Sequence, residues 1–515
     1  MHLHDFLDRA AEATPDAPAV HHAGHDTSYR ELAEQSRRLA AMLSLQGLAP
    51  GARVAAVMPN HPAFFSCHYG VHRTPYVWLA LNPRSALDEI IDTLVDFDAQ
   101  WLFTHSDFAP HWAAIRARVP RLKGCVSVDA AFDGVPDLGH WLAAAPDAVP
   151  PVAIGPLDCV ALRTTGGSTG KPKGVMRTSL SYSLILADYF MALPFRSRPV
   201  NLVLTPLSHA AGEVAMPVFS AGGTQVLLHS TRPDEILAAI QRHRATMLFV
   251  PPTLVYMLLA HPDIRSYDLS SLEYVVYGSA PMSVQKLREA WEVFGPVLAQ
   301  VYGLSEASST LSIMSPAEHA AALQHRPERI ASCGRGGPMY RIRVVDAEGR
   351  ELAPFEKGEI VCRGDHLMKG YFGDDDATAQ AIRGGWLHTG DVGYKDEAGY
   401  VYIVDRKKDL IISGGFNVYP GEVEQVIFQH PAVKDCSVIG VPDEKWGEAV
   451  TAVVEVKPGA TLDTGALLAQ CRSKLGSVKA PKQILVWPTL PRSPAGKVLK
   501  KDIRLQFWQH TGRSI

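Results

Sequence analysis

What the chain lacks narrows its class before any motif is read. No stretch reaches the roughly 18 uninterrupted apolar residues of a membrane-spanning helix, so no transmembrane segment is expected. The start, Met1-His2-Leu3-His4-Asp5-Phe6-Leu7-Asp8-Arg9, is charged and lacks the apolar core of a signal peptide. Cysteines are few and scattered, at 67, 125, 159, 333, 362, 436 and 471, and none form a Cys-x-x-Cys pair. That speaks against a zinc site and a disulfide framework, and it fits a cytoplasmic location. Charge of one sign is missing too: 50 Lys+Arg stand against 53 Asp+Glu, a net charge of −3. Without a basic field, nucleic acid is not an expected partner. No internal repeat or low-complexity tract is present. What remains is ordinary soluble-protein composition, 47% hydrophobic and 20% charged, over 515 residues, room for about three or four domain-sized units.

Within that chain, residues 164–174 stand out: Thr-Thr-Gly-Gly-Ser-Thr-Gly-Lys-Pro-Lys-Gly. Glycines let the backbone approach a ligand, successive N–H groups form an anion-binding concavity, and hydroxyls and lysines add donors and charge. The stretch is suited to polyphosphate. It is not a Walker A loop, because only three residues separate Gly166 from Gly170 and Pro172 follows Lys171. The apolar run Cys159-Val160-Ala161-Leu162 before it reads as a buried strand, which argues against a flexible linker.

The surrounding pattern alternates strands and helices. Helical spacing covers 3–13, 28–48, 61–71, 88–97, 179–193 and 233–243, with Ser28 and Glu31 forming a capping box at the second start. Strands are expected at 54–58, 101–104, 202–204, 225–228, 247–250 and 274–277. Residues 126–158 carry few signals and read as a surface excursion. From 335 to 404, short strands alternate with Gly-rich turns, a small β-rich subdomain. From about 406 onward, short α and β segments make up some 110 residues, enough for a small domain.

Five further motifs follow the loop in order: Tyr302-Gly303-Leu304-Ser305-Glu306, Leu387-His388-Thr389-Gly390-Asp391, Asp405-Arg406-Lys407-Lys408-Asp409, Gly414-Gly415-Phe416-Asn417-Val418-Tyr419-Pro420 and Pro491-Arg492-Ser493-Pro494-Ala495-Gly496-Lys497. Each alone is weak or moderate. Together they resemble the adenylate-forming superfamily of acyl-CoA synthetases, peptide-synthetase adenylation domains and firefly-type luciferases, over essentially the whole chain. The resemblance is nearest to the AMP-forming acyl-CoA ligases. It implies an α/β fold with a large N-terminal domain (1–404) of stacked α/β subdomains plus the β-rich subdomain. A hinge at Asp405 would join it to a small mobile α+β domain (405–515).

The resemblance also implies a two-step reaction, an acyl adenylate formed from a carboxylic acid and ATP, then a thioester with coenzyme A. Roles follow residue by residue. Thr165, Gly166, Gly167, Ser168, Thr169, Gly170, Lys171 and Lys173 would hold the phosphates. Glu306 would hold Mg²⁺, Ser305 would donate to the α-phosphate, and Tyr302 would stack on adenine beside Gly278, Ser279 and Ala280. Asp391 would accept from the ribose hydroxyls and Arg406 would reach the ribose or a phosphate. Lys497 would bridge carboxylate and α-phosphate in the first step, and Gly414, Gly415 and Phe416 would line the pantetheine arm in the second.

His209, in Pro206-Leu207-Ser208-His209, lines the acyl pocket and thiol channel by this resemblance, with a purely structural histidine as the other reading. Glu213 departs from the family pattern, where an apolar residue is commoner. Either it faces the substrate, or it pairs with an arginine or backbone donor, the preferred reading since buried acids need partners. Ser308 is a further pocket candidate. The substrate range is a mid-sized fatty or aromatic acid. Loading of a carrier protein and a silent nucleotide-binding relative are the alternatives, and a homodimer is one option for assembly.

Overall fold

A computed structural model describes residues 1–146, 152–165, 172–280, 282–307, 310–493 and 498–509. The large domain is built on two mainly parallel sheets with helices between and around them, as the alternating sequence pattern predicts. One sheet has seven strands, ordered Gly370–Tyr371, Gly174–Thr178, Cys159–Thr164, Val77–Leu81, Arg53–Val57, Ala99–Thr104 and Gly124–Ser127. The other has nine, with Leu298–Tyr302, Tyr274–Gly278, Met247–Val250, Val200–Val203 and Thr224–Leu227 as its parallel centre. A shared core joins them, with Phe64, Phe65, Phe103, Phe219 and Val276 among its buried members.

Local chemistry explains the element starts. Ser28 accepts from the Glu31 backbone while Glu31 reaches back to the Ser28 N–H, the expected capping box, and the helix runs Tyr29–Ser44. Where described, residues 126–158 are mostly at the surface, as expected of an excursion, but a short helix anchors the segment to the core. Asp137 caps a helix, Leu138–Ala143, whose Leu138 and Leu142 are buried in the shared core.

A five-stranded antiparallel sheet follows, holding Tyr340–Val345, Gly358–Gly364, Ile382–Arg383, Trp386–Lys395 and Val401–Arg406. This is the β-rich subdomain. Its last strand extends through Arg406, so Asp405 is still paired, opposite Val392. The expected boundary at 404/405 thus falls two residues before the strand ends.

The small domain has its own sheet, ordered Phe416–Val418, Ile411–Ser413, Gly447–Val456 and Val433–Asp443, with Gln483–Trp487 on the long third strand. Its core gathers Ile411, Val418, Val423, Ile427, Val438 and Val450. No described helix is long and apolar enough to cross a membrane. All seven cysteines are free.

Candidate active site

The loop stretch sits between antiparallel partners. Cys159–Thr164 pairs with Gly174–Thr178, Thr164 opposite Gly174, and Thr165 N–H donates to the Lys173 carbonyl at 3.0 Å. Gly166, Gly167, Ser168, Thr169, Gly170 and Lys171 lie outside the described residues, so only the base of the loop is seen. There, Lys173 Nζ lies 4.7 Å from the centre of the Tyr371 ring, a cation–π contact. Tyr371 in turn donates its hydroxyl to Glu306 Oε1 at 2.8 Å. Lys173, Tyr371 and Glu306 therefore form one connected edge. Tyr371 was not picked from the sequence. It reaches this place because Gly370–Tyr371 adds a short strand to Gly174–Thr178, a pairing of distant segments.

Glu306 is partly exposed on a single 3-10 turn, Ser305–Ala307, just past the end of Leu298–Tyr302. Among the described residues, no group of three His, Cys, Asp or Glu side chains is arranged to hold a metal. One carboxylate with an oxygen to spare suits Mg²⁺, which keeps several waters and takes remaining ligands from substrate phosphates.

Beside it lies a chain of polar groups, buried at Tyr302 and Asp391 and exposed at Arg406. Tyr302 donates its hydroxyl to Asp391 Oδ2 at 2.6 Å, and Arg406 Nε lies 2.6 Å from Asp391 Oδ1. Asp391 is 2% exposed. Burial raises its carboxyl above the usual range, against the pull of Arg406 and the Tyr302 hydroxyl. Each oxygen keeps a further lone pair, so the carboxylate can still accept from two hydroxyls of a ligand. Ser279, at the end of Tyr274–Gly278, has φ +68°, an unusual conformation for a residue with a side chain. Gly278 is required by close packing, since a Cβ there would come within 2.5 Å of the Val301 carbonyl oxygen.

His209 precedes the buried helix Ala210–Ser220 and accepts the Gly212 N–H on its carbonyl. Asn60 fixes this segment, donating to the Thr205 carbonyl at 3.1 Å and accepting the Leu207 N–H at 3.0 Å. A cleft of about 400 Å³ opens here, lined by Asn60, Arg84, His111, Pro206 and His229. One turn into the helix, Glu213 is 2% exposed, and its Oε1 lies 3.3 Å from Arg163 Nε and 3.5 Å from Arg177 Nη2. Arg177 is itself 1% exposed, and burial lowers its pKa while Glu213 offsets part of that. Of the two readings of Glu213, the arginine pairing is the arrangement found. Ser308 lies outside the described residues.

In the small domain, Gly414 and Gly415 (φ +58° and +81°) form the two-residue turn between Ile411–Ser413 and Phe416–Val418. A Cβ on Gly414 would come within 2.8 Å of the Trp446 ring. Phe416 beside them is 59% exposed. Asp405 accepts the Gly421 N–H at 2.6 Å and faces Lys500. Lys500 bonds Glu424 at 2.9 Å, so it is a structural cation. Lys497 lies outside the described residues. On either side of it, Leu499 N–H donates to the Pro491 carbonyl and Arg492 pairs with Asp435 and Glu455.

The chain belongs to the AMP-binding enzyme family. That family's profile matches residues 7–372, and the AMP-binding enzyme C-terminal domain matches 422–497. A feruloyl-CoA synthase of Amycolatopsis sp is 37% identical over 505 residues, covering 97% of this chain and 98% of the relative. A medium/long-chain-fatty-acid–CoA ligase of Mycobacterium tuberculosis is 34% identical, covering 94% of this chain and 86% of the relative. Among solved structures, the amide bond synthetase McbA from Marinactinospora thermotolerans superposes with a TM-score of 0.90 at 33% identity, covering 98% of this chain and 99% of that one.

Proposed function

We propose that this protein is an AMP-forming carboxylic acid–CoA ligase acting on a mid-sized fatty or aromatic acid. The observation that carries the reading is the Tyr302–Asp391–Arg406 chain beside the Lys173–Tyr371–Glu306 edge. One group is fit for a nucleoside and the other for phosphates with their counter-ion, and a carboxylate attacking a triphosphate needs both. The relatives' names supply the acid range and the thiol.

In the first step a carboxylate oxygen attacks the α-phosphorus of ATP, forming the acyl–phosphate bond and releasing pyrophosphate. Residues 165–173 hold the β- and γ-phosphates, Ser305 donates to the α-phosphate, and Lys497 neutralises the charge shared by the two anions. Glu306 would hold Mg²⁺, which would screen the phosphate charges when bound. Tyr302 and the backbone of Gly278, Ser279 and Ala280 enclose the adenine, and Asp391 and Arg406 take the ribose. In the second step the thiol of CoA attacks the acyl carbon and AMP leaves. The exposed Gly414-Gly415-Phe416 turn lies along the pantetheine arm after the small domain rotates about Asp405, a motion able to limit turnover. His209 orients the carboxylate or gates the thiol channel. Such an enzyme works in the cytoplasm, where its co-substrates are.

Acid-dependent ATP–pyrophosphate exchange, then CoA-dependent AMP release, tests this on the full chain. Exchange without a CoA thioester would transfer the reading to a carrier-protein or amine acceptor, and no exchange with any acid of a broad panel would sink it. Lys497→Ala is expected to lower exchange by about 10²–10³-fold, the usual loss on removing a charge-stabilising donor. Thioester formation from supplied acyl adenylate should be nearly unchanged, and equal loss in both half-reactions would remove Lys497 from its role.

A further inference from the structure

Asp188 is not explained by the site so far. It lies on the helix Ser179–Ala192 and is 4% exposed. Its Oδ1 is fully buried and accepts no hydrogen bond, and no described residue donates to its other oxygen. No described arginine or lysine faces it, unlike Glu213 on the neighbouring helix. Burial alone acts on its carboxyl, which is pushed up to about 7. A buried carboxylate with no partner is costly, and folded proteins rarely keep one without a use.

A second group shares the place. Tyr340, at the start of Tyr340–Val345, is buried, and its hydroxyl has no hydrogen bond of good geometry, with the Gly337 backbone nearby. A Cβ on Gly337 would lie 3.1 Å from Asp188 Oδ1 and 3.2 Å from the Tyr340 hydroxyl. Both oxygens thus border the same spot over the bare Cα of Gly337, one an acceptor and the other able to donate. Two neighbouring residues connect the pair with groups of the site. Tyr189, next to Asp188, is buried and feels the charge of Glu213. The Tyr340 ring stacks on His366 at 4.2 Å, and two residues on, Met368 N–H donates to the Glu306 carbonyl at 2.8 Å.

We propose that Asp188 and Tyr340 form the far end of the acid-binding pocket and select substrates carrying a hydroxyl group there, phenolic or alcoholic. A hydroxyl donates to Asp188 and accepts from Tyr340, so one group satisfies both buried oxygens; an ammonium could only donate to them and would leave the Tyr340 proton without an acceptor. An acid lacking that group leaves both oxygens unpaired, which is how a polar site rejects an apolar analogue. The assignment rests on the ligase reading above.

The test compares kcat/KM for AMP release by the full chain with CoA, for 4-hydroxycinnamate against cinnamate and 8-hydroxyoctanoate against octanoate. In whichever pair is accepted, the hydroxy acid should be preferred by at least about tenfold. Asp188→Leu should bring the ratio to one or below, chiefly through KM, without lowering the melting temperature, because it removes an uncompensated buried carboxylate. Tyr340→Phe, which deletes one oxygen, should shrink the ratio about threefold. Ratios unmoved in both variants, or faster turnover of 4-(aminomethyl)cinnamate than of 4-hydroxycinnamate, would overturn the assignment and leave the ligase reading intact. Absence of AMP release with every acid would instead defeat the ligase reading.

Discussion

Asp391 and Asp188 are both buried aspartates of the large domain, held in opposite ways. Asp391 accepts from Tyr302 on one oxygen and pairs with Arg406 on the other. Asp188 accepts from no described residue. Burial raises both carboxyls, but only Asp391 has a cation and a phenol pulling back. A carboxylate fixed from two sides is preorganised for a partner of constant shape, such as a nucleoside. One left bare is satisfied only when the right ligand arrives, so it costs stability while the site is empty and discriminates when it fills. Glu213 stands between these extremes, with two arginines near one oxygen.

The contrast can be broken in three places. The largest effect is expected from Asp391→Ala: about a 100-fold loss in kcat/KM for ATP, with the preference between hydroxy and deoxy acids unchanged. A loss under threefold would show that the held aspartate is structural. Next comes Glu213→Leu, which strips the counter-charge from a fully buried Arg177 and should cost about 3–5 kcal/mol in urea unfolding. Adding Arg177→Leu should restore most of that, and a double variant no more stable than the single would refute the pairing. The smallest is a pH effect at Asp188. Its carboxyl, ordinarily near 3.8, keeps its proton up to about 7 in the folded chain. The unfolded chain releases that proton first, so this group drains stability as pH rises from about 4 to 7, and the deficit is complete above. The gain in melting temperature from Asp188→Asn should therefore be larger at pH 8 than at pH 5. Equal gains would mean that the carboxyl titrates normally.

How much of this was legible beforehand depended on the range of the interaction. The capping box at Ser28 and Glu31 spans three residues and was readable. So were the βα alternation and the order of the motifs. The strand Gly174–Thr178 was not: it carries Arg177 in a buried position, and its charge is compensated by Glu213, 36 residues away. Val77–Leu81 is apolar throughout and short, and the helix Ala210–Ser220 is apolar on nearly every face, so neither shows a period. Tyr371 and Tyr340 enter the site through strand pairing and packing between remote segments, which no local pattern encodes. Lys500 likewise meets its partner, Glu424, only in the fold.

The sheet change after Arg406 has a consequence for how such a chain can diversify. Both groups proposed above to sense the acid, Asp188 and Tyr340, lie before it, and the small domain that follows has its own core. On the roles proposed above, choice of substrate and delivery of Lys497 are separately mutable traits. A lineage, or an engineer, can rewrite the pocket without retuning the chemistry. A transplanted second half should carry its lysine to a new acid provided Asp405 still meets Gly421 and Lys500.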